Sequence, residues 1–188
     1  MNNLPKHLKK VFFHRILKTL LISLIFVVIS SQSIAIEQKP PQISLKLFLK
    51  QQKEQDKQIL CLAENIYFEA RNTDFEEMTR IASVTMNRLN LSKYPKTVCQ
   101  IVYKSHQFSW TINTKNNIRR IGKLIKKNTF EHSAWIQAKN IAFLTLNGYI
   151  KDETHGAVFY HAVYVNKPNS WGNVKLILKS AYHKYYSL

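Results

Sequence analysis

The spacing of apolar residues predicts two consecutive amphipathic helices in the first half of the chain. From Lys57 to Asn72, apolar residues recur every three or four positions, which is the spacing of one helical face: Ile59, Leu60, Ala63, Ile66, Tyr67 and Ala70. Thr73-Asp74-Phe75-Glu76 has the form of a capping box, so a second helix is predicted from there to Asn90. Its buried face is expected to hold Met78, Ile81, Ala82, Thr85, Met86 and Leu89.

Towards the C-terminus the pattern changes from helix to strand. A short helix is predicted at Thr97–Tyr103, and longer ones at Lys115–Lys127 and Glu131–Asn147. Ala157–Val165 is rich in β-branched and aromatic residues, which predicts a strand, and Val174–Tyr186 predicts a further strand or hairpin. We therefore expect an α+β fold that is mostly helical, with a small C-terminal sheet or hairpin.

The first 35 residues have the three parts of a secretory signal peptide. A basic start is followed by the uncharged stretch Thr19–Ile36, and Ser33-Ile34-Ala35 supplies the small residues of a cleavage site. The alternative is an uncleaved membrane anchor, because about 18 uncharged residues reach the lower limit for crossing a bilayer. Both interpretations predict that the rest of the chain is exported, to the periplasm or the extracellular space.

Composition divides the exported part into a linker and one domain. Residues 36–56 are rich in Gln, Lys and Pro, which predicts a linker with a short helix around Leu45–Leu49. Residues 57–188 are then a single domain with one core, expected to be monomeric.

The exported chain is strongly basic. The full chain has a formal charge of +17, and the five Lys and Arg residues before Ala35 are accompanied by no acids, so +12 remains after cleavage. A field of this sign attracts polyanions. Outside the cytoplasm these are anionic wall polymers and lipid head groups rather than nucleic acid; the alternative is a surface charged only for solubility.

The cysteines and histidines bear on redox state and metal binding. Cys61 and Cys99 are expected to form a disulfide after export, the alternative being two buried thiols. Two cysteines alone cannot build a structural zinc site, and the chain has no His-Glu-x-x-His pattern. A zinc amidase is therefore the least favoured enzyme class, and no metal or cofactor is expected.

Glu69 is the leading candidate for acid catalysis. Its neighbours Tyr67, Phe68 and Ala70 are apolar, and burial among such groups raises a carboxyl pKa. A carboxyl that keeps its proton at neutral pH can protonate the leaving oxygen of a glycosidic bond. Two observations favour a solvated side chain instead: the position near a helix end, and Arg71, whose charge would lower the pKa if the two paired.

A series of motifs across residues 59–186 resembles one protein family. In order they are Tyr67-Phe68-Glu69-Ala70-Arg71, Asn87-Arg88, Tyr94-Pro95-Lys96-Thr97-Val98-Cys99, Gln107-Phe108-Ser109-Trp110, Tyr160-His161-Ala162, Trp171 and His183-Lys184-Tyr185-Tyr186. Their order is similar to that of the SleB-type cell wall hydrolases, the family of spore-cortex-lytic enzymes. The resemblance implies a lysozyme-like fold and, as substrate, the N-acetylmuramic acid–N-acetylglucosamine strands of peptidoglycan.

The resemblance also implies roles for single residues. Glu69 corresponds to the family's catalytic glutamate. Four polar motif residues are expected to hydrogen-bond the sugars: Gln107, Ser109, Tyr160 and His161. Three aromatic residues are expected to pack against the sugar rings: Phe108, Trp110 and Trp171. From the residues alone, core packing of the aromatics and a structural role for His161 remain open, and Asn87-Arg88 is interpreted as structural.

The implied reaction is that of a lytic transglycosylase, in which one carboxyl serves as acid and then as base. The alternatives are a hydrolytic muramidase and a wall-binding protein of the same fold without activity. The chain departs from the family pattern at several points. Asn72 and Glu77 occupy positions where glycine is usual, Ser180-Ala181 replaces Ile-Gly, and residues 111–130 have no clear counterpart.

Overall fold

The computed structural model describes residues 44–188. The predicted signal peptide and the first part of the predicted linker lie outside this range. None of the helices within residues 44–188 is both long enough and apolar enough to cross a membrane.

Five α-helices and three strands make up the described part of the chain. The helices are α1 (Leu45–Ala70), α2 (Phe75–Leu89), α3 (Val98–Val102), α4 (Thr114–Lys127) and α5 (Thr129–Leu146). The strands are β1 (Phe159–Ala162), β2 (Lys175–Lys179) and β3 (His183–Ser187), and short 3-10 turns span Ser109–Asn113 and Asn169–Trp171. The mostly helical α+β class predicted from the sequence is confirmed.

The first helix begins much earlier than predicted. α1 starts at Leu45 and continues without a break to Ala70, so the second half of the predicted linker is helical. Its first turns are exposed, including the apolar side chains of Leu45, Phe48 and Leu49. The short helix predicted around Leu45–Leu49 is therefore the start of α1, whereas the turns between it and Ile59 were not predicted, because the buried apolar face begins only near Ile59.

Side-chain caps mark the start of three helices, and one of them lies a residue later than the capping box predicted. The N-cap of α2 is Asp74, whose side chain accepts a hydrogen bond from the Glu77 amide at 2.7 Å, and not Thr73 as the capping box predicted. Thr97 caps α3 in the same way, and the Asn128 side chain accepts from the first amides of α5. These caps fix where the helices that frame the core begin.

α1 is the central element of the core. It packs against α2, α3 and α5, and its most deeply buried side chains include Leu62, Ile66 and Tyr67. Cys61 on α1 and Cys99 on α3 form the predicted disulfide. By contrast, α4 has no buried residue and lies on the surface against α5. The end of α1 is therefore held rigidly, since buried packing and a covalent link fix its second half.

The sheet is small and antiparallel, with strand order β1-β3-β2. β2 and β3 form the predicted C-terminal hairpin, with an irregularity between Leu176 and Leu178. β1 pairs with β3 so that Tyr160 lies opposite Tyr185. This register presents Tyr160 towards the end of α1.

Candidate active site

A cleft lies where the end of α1 meets β1. It has a volume of about 480 Å³, and Glu69, Arg88, Gln107, Ser109, Tyr160 and Trp171 are among the residues that line it. Five separate segments supply these side chains: α1, α2, the loop and 3-10 turn after α3, β1, and the second 3-10 turn. A groove of this size, with polar groups set among aromatic rings, suits a sugar.

Glu69 occupies the last turn of α1 and faces this cleft. Its carboxylate accepts a hydrogen bond from the Tyr160 hydroxyl at 3.0 Å. The side chain has some contact with solvent through the cleft, but protein atoms surround the carboxyl group, and burial raises its pKa above the usual glutamate value. Tyr160 remains a neutral donor, because burial and the nearby Glu69 charge keep its own pKa well above the usual tyrosine range.

Three neighbours oppose this rise in the pKa of Glu69. They are the Tyr160 hydrogen bond, which is the largest of the three effects, and electrostatic interactions with His183 and Arg88. The Glu69 carboxyl therefore lies in surroundings that hold its proton and also stabilise the carboxylate left after donation. A general acid that later acts as a base needs both properties.

Arg71 does not pair with Glu69. Its Nε lies 3.6 Å from the Glu131 carboxylate, and its guanidinium lies over the Tyr67 ring at 5.4 Å. The objection raised by the sequence, that Arg71 would lower the pKa of Glu69, does not apply in this arrangement.

Arg88 is a cleft residue that the sequence interpretation treated only as structural. Its Nε donates to the Val158 carbonyl at 2.7 Å, and its guanidinium lies over the Phe108 ring at 5.4 Å. The side chain is almost fully buried. Arg88 thus holds the strand segment before Tyr160 and also places a positive charge near Glu69.

A buried polar network supports Tyr160 from behind. The Glu77 carboxylate is fully buried and accepts hydrogen bonds from Tyr185 at 2.6 Å, Ser180 at 3.0 Å and Arg80 at 3.0 Å, with His183 Nδ1 at 2.6 Å. Burial acts to raise the pKa of Glu77, but these hydrogen bonds outweigh it and hold the pKa below the usual value.

The network connects to Glu69 through aromatic contact. The His183 ring meets the Tyr160 ring edge-on, with centroids 5.2 Å apart. Sequence reasoning missed this arrangement. One signal of it was present in the sequence, because two departures from the family pattern, Glu77 and Ser180, occur together. In the structure the side chains of these two residues are hydrogen-bonded to each other.

Most of the predicted sugar-binding residues line the cleft, and two do not. Gln107, Phe108, Ser109, Tyr160 and Trp171 lie along it. Trp171 is held there by the Phe159 ring, with centroids 4.9 Å apart. It is followed by Gly172, whose φ of +67° is a conformation that favours glycine and ends the turn.

Trp110 and His161 are the two predicted residues that lie outside the lining of the cleft. Trp110 is buried, stacks on Phe68 with ring centroids 4.3 Å apart, and donates its Nε1 hydrogen to Asn65. His161 is also buried, and its two ring nitrogens lie at hydrogen-bond distance from the Tyr186 hydroxyl and the Ala162 carbonyl. Both side chains already have their polar atoms satisfied, so neither is assigned to sugar binding.

Two other acids, Glu76 and Asp152, do not line the cleft. Glu76 is exposed on α2. Asp152 accepts hydrogen bonds from Asn87, Thr154 and the Gly156 amide, which hold its pKa below the usual value although burial acts to raise it. Within residues 44–188, no three His, Cys, Asp or Glu side chains lie close enough together to hold a metal ion.

Comparison with known families identifies the chain. The sequence profile of a family described as Cell Wall Hydrolase matches residues 72–186, well over half of the chain. The chain belongs to the cell wall hydrolase family. This cell wall hydrolase is therefore an enzyme that acts on peptidoglycan, and its family indicates an extracytoplasmic location. The matched range begins just after Glu69, so the family assignment does not by itself identify the catalytic residue.

Two solved structures share the fold of this cell wall hydrolase. The catalytic domain of SleB from Bacillus cereus superposes with a TM-score of 0.53 at 19% identity, over 70% of this chain and 91% of that one. The catalytic domain of the germination-specific lytic transglycosylase SleB from Bacillus anthracis gives a TM-score of 0.52 at 21% identity, over 69% and 93%. The expected lysozyme-like fold is thereby confirmed. Comparison with curated protein sequences found no match.

Proposed function

We propose that this cell wall hydrolase is a lytic transglycosylase that cleaves the bond between N-acetylmuramic acid and N-acetylglucosamine, with Glu69 as its single acid and base. The observation that carries the proposal is the raised pKa of Glu69 in a sugar-sized cleft whose described lining contains no second carboxylate. The solved relative from Bacillus anthracis is described as a lytic transglycosylase, which agrees with this proposal.

The first step is proton donation. Protonated Glu69 gives its proton to the glycosidic oxygen as the bond from that oxygen to C1 of muramic acid breaks. The N-acetylglucosamine hydroxyl leaves, and positive charge develops at C1. The Glu69 carboxylate that results is stabilised by the hydrogen bond from Tyr160 and by the nearby charge of Arg88.

The second step closes a ring within the sugar. The Glu69 carboxylate accepts the proton of the C6 hydroxyl of the same muramic acid, and that oxygen forms a bond to C1. The product is an anhydro sugar, and Glu69 is protonated again for the next cycle. No water is consumed.

The number of carboxylates favours this route over hydrolysis. A hydrolytic glycosidase usually uses two carboxylates, one on each side of the scissile bond. In the described lining of the cleft Glu69 is the one carboxylate, while Glu77 is fully buried and occupied by its four partners. A single group that acts twice needs no second carboxylate.

We assign the cleft residues as follows. Gln107 and Ser109 offer hydrogen bonds to the acetamido and hydroxyl groups of the sugars, and Trp171 offers a ring face at the opposite side of the cleft. Phe108 is buried beneath Arg88 and supports the cleft floor.

The enzyme is proposed to be secreted through its N-terminal signal peptide and to collect on anionic wall polymer or on a membrane surface. α4 carries six cations and no acid: Lys115, Arg119, Arg120, Lys123, Lys126 and Lys127. Because the helix has no buried residue, these charges are presented to solvent and polyanions.

Digestion of purified peptidoglycan by the Ile36–Leu188 protein tests the role of Glu69. The Glu69→Gln variant is expected to lose at least about 100-fold in rate, because an amide is too weak an acid to protonate the leaving oxygen, while binding to sedimented peptidoglycan is unchanged. Glu76→Gln, which removes an exposed acid from the next helix, is the matched control and should keep full activity. Full activity of Glu69→Gln would refute the assignment, and an inactive wild type that still binds would make the protein a wall-binding module.

A further inference from the structure

A second cavity, which shares no lining residue with the Glu69 cleft, lies at the end of α1. It has a volume of about 480 Å³, and its lining includes Tyr67, Phe68, Arg71, Trp110, Arg120 and Glu131. We call it the Arg120 pocket. Nothing in the reaction described above uses it.

The Arg120 pocket adjoins the cleft along two stretches of chain. At the C-terminal end of α1, Phe68 and the C-cap residue Arg71 line the pocket, while Glu69, between them, lines the cleft. After α3, Ser109 lines the cleft and the next residue, Trp110, lines the pocket. The linings of the two sites therefore meet at neighbouring residues on both stretches.

The walls of the pocket are held in place before any ligand binds. Phe68 and Trp110 stack with nearly parallel rings, 8° apart in plane. The Asn117 side chain donates to the Trp110 carbonyl at 2.7 Å, which ties α4 to the 3-10 turn. Fixed walls lower the entropic cost of binding.

The charge of the pocket favours an anion. The lining contains two guanidiniums, those of Arg71 and Arg120, and one carboxylate, that of Glu131. The Glu131 carboxylate is occupied by the Tyr67 hydroxyl and by Arg71. One positive charge, that of the exposed Arg120, therefore remains for a ligand.

We propose that the Arg120 pocket binds a carboxylate of the peptide stem that muramic acid carries. This inference rests on the proposed function, which places a muramic acid in the adjoining cleft. N-acetylglucosamine bears no charge, whereas the stem on its neighbour ends in carboxylates, which pair well with guanidinium groups. The pocket makes the enzyme selective for glycan that still carries its peptides.

The test compares two charge-removing variants of one helix. Arg120→Gln removes the charge that lines the pocket, and Arg119→Gln removes an equally exposed charge on α4 that does not line it. Each is assayed on soluble glycan strands with peptide stems and on stripped strands, from which an amidase has removed the stems and on which the lactyl carboxylates so exposed have been converted to amides. For Arg120→Gln we expect about a three- to tenfold rise in KM on stem-bearing strands, with kcat unchanged and no effect on stripped strands.

Two outcomes overturn the inference. One is that Arg120→Gln and Arg119→Gln have the same KM on stem-bearing strands, which would indicate only a general attraction of α4 for polyanions. The other is an equal rise in KM on stem-bearing and stripped strands. If Glu69→Gln is inactive while Arg120→Gln behaves like wild type, the inference fails and the proposed function stands.

Calorimetric titration with a free synthetic stem peptide tests the pocket without turnover. Arg119→Gln and Arg120→Gln lose the same general attraction of α4 for anions, so Arg120→Gln should bind the peptide about three- to tenfold more weakly than Arg119→Gln does. Equal binding of the two variants would refute the pocket even if the enzyme cleaved nothing.

Discussion

The disulfide between Cys61 and Cys99 should contribute a large part of the stability of the domain. It joins α1, the central helix of the core, to the short helix α3, across a sequence separation of 38 residues. The disulfide can be removed in two ways, by reduction of the wild type or by the double variant Cys61→Ala/Cys99→Ala.

The expected magnitude follows from the length of the closed loop. In the chain-entropy account, a cross-link over a loop of this size restricts the unfolded chain by about 4 kcal/mol at 25 °C. For a domain of this size, such a loss lowers Tm by roughly 8–16 °C. A domain of marginal stability would then be partly unfolded at growth temperature.

Guanidinium unfolding followed by circular dichroism measures this contribution. The wild type is compared with and without a reducing agent, and the double variant, which has no disulfide to reduce, controls for other effects of the reductant. We expect the reduced wild type and the double variant to be similarly destabilised. A loss below about 1 kcal/mol in both would contradict the reasoning, because it would mean that α1 and α3 are held together without the cross-link.

Three further predictions concern the carboxylates. Tyr160→Phe removes a hydrogen bond that stabilises ionised Glu69, so the pKa of Glu69 rises and the alkaline limb of the kcat/KM profile moves to higher pH; an unshifted profile would argue against this contact. Because burial raises the pKa of Glu69 above its value in the unfolded chain, stability falls as the pH rises past the unfolded value of about 4, and the loss is complete above the raised pKa. Glu69→Gln should therefore have the higher Tm at neutral pH but not below about pH 4. A lower Tm at neutral pH would contradict this. The pKa of Glu77 is lowered, so its stabilisation is present at neutral pH and lost in acid. Urea unfolding should show Glu77→Gln destabilised by about 2–4 kcal/mol at pH 7 and less in acid, with exposed Glu76→Gln unaffected.

Local patterns were sufficient to predict the order of the helices and strands. The apolar spacing in the second half of α1 and the β-branched run around β1 both describe faces that are buried, and burial is what such patterns record. A short helix was predicted around Leu45–Leu49, but its continuation through residues 50–58 was missed, because those turns are largely exposed and leave no such record.

The sequence predicted the candidate site only at residues whose local motif indicates their chemical role. Glu69 stood out because of its apolar neighbours, and the structure places it in a cleft. Whether an aromatic or a histidine faces a sugar or the core depends on partners distant in the chain: Trp110 on Phe68, and His161 on Tyr186. The Glu77 network joins residues about a hundred positions apart, and no local pattern reports such a contact.

The chemistry of the new chain end tests the central claim most directly. Purified peptidoglycan is digested by the wild-type Ile36–Leu188 protein in water labelled with oxygen-18, and the fragments are identified by mass spectrometry. A single glutamate acting through the C6 hydroxyl predicts anhydromuramic acid ends with no label from the solvent. Reducing ends that carry oxygen-18 would contradict the account, because they would require water as the nucleophile.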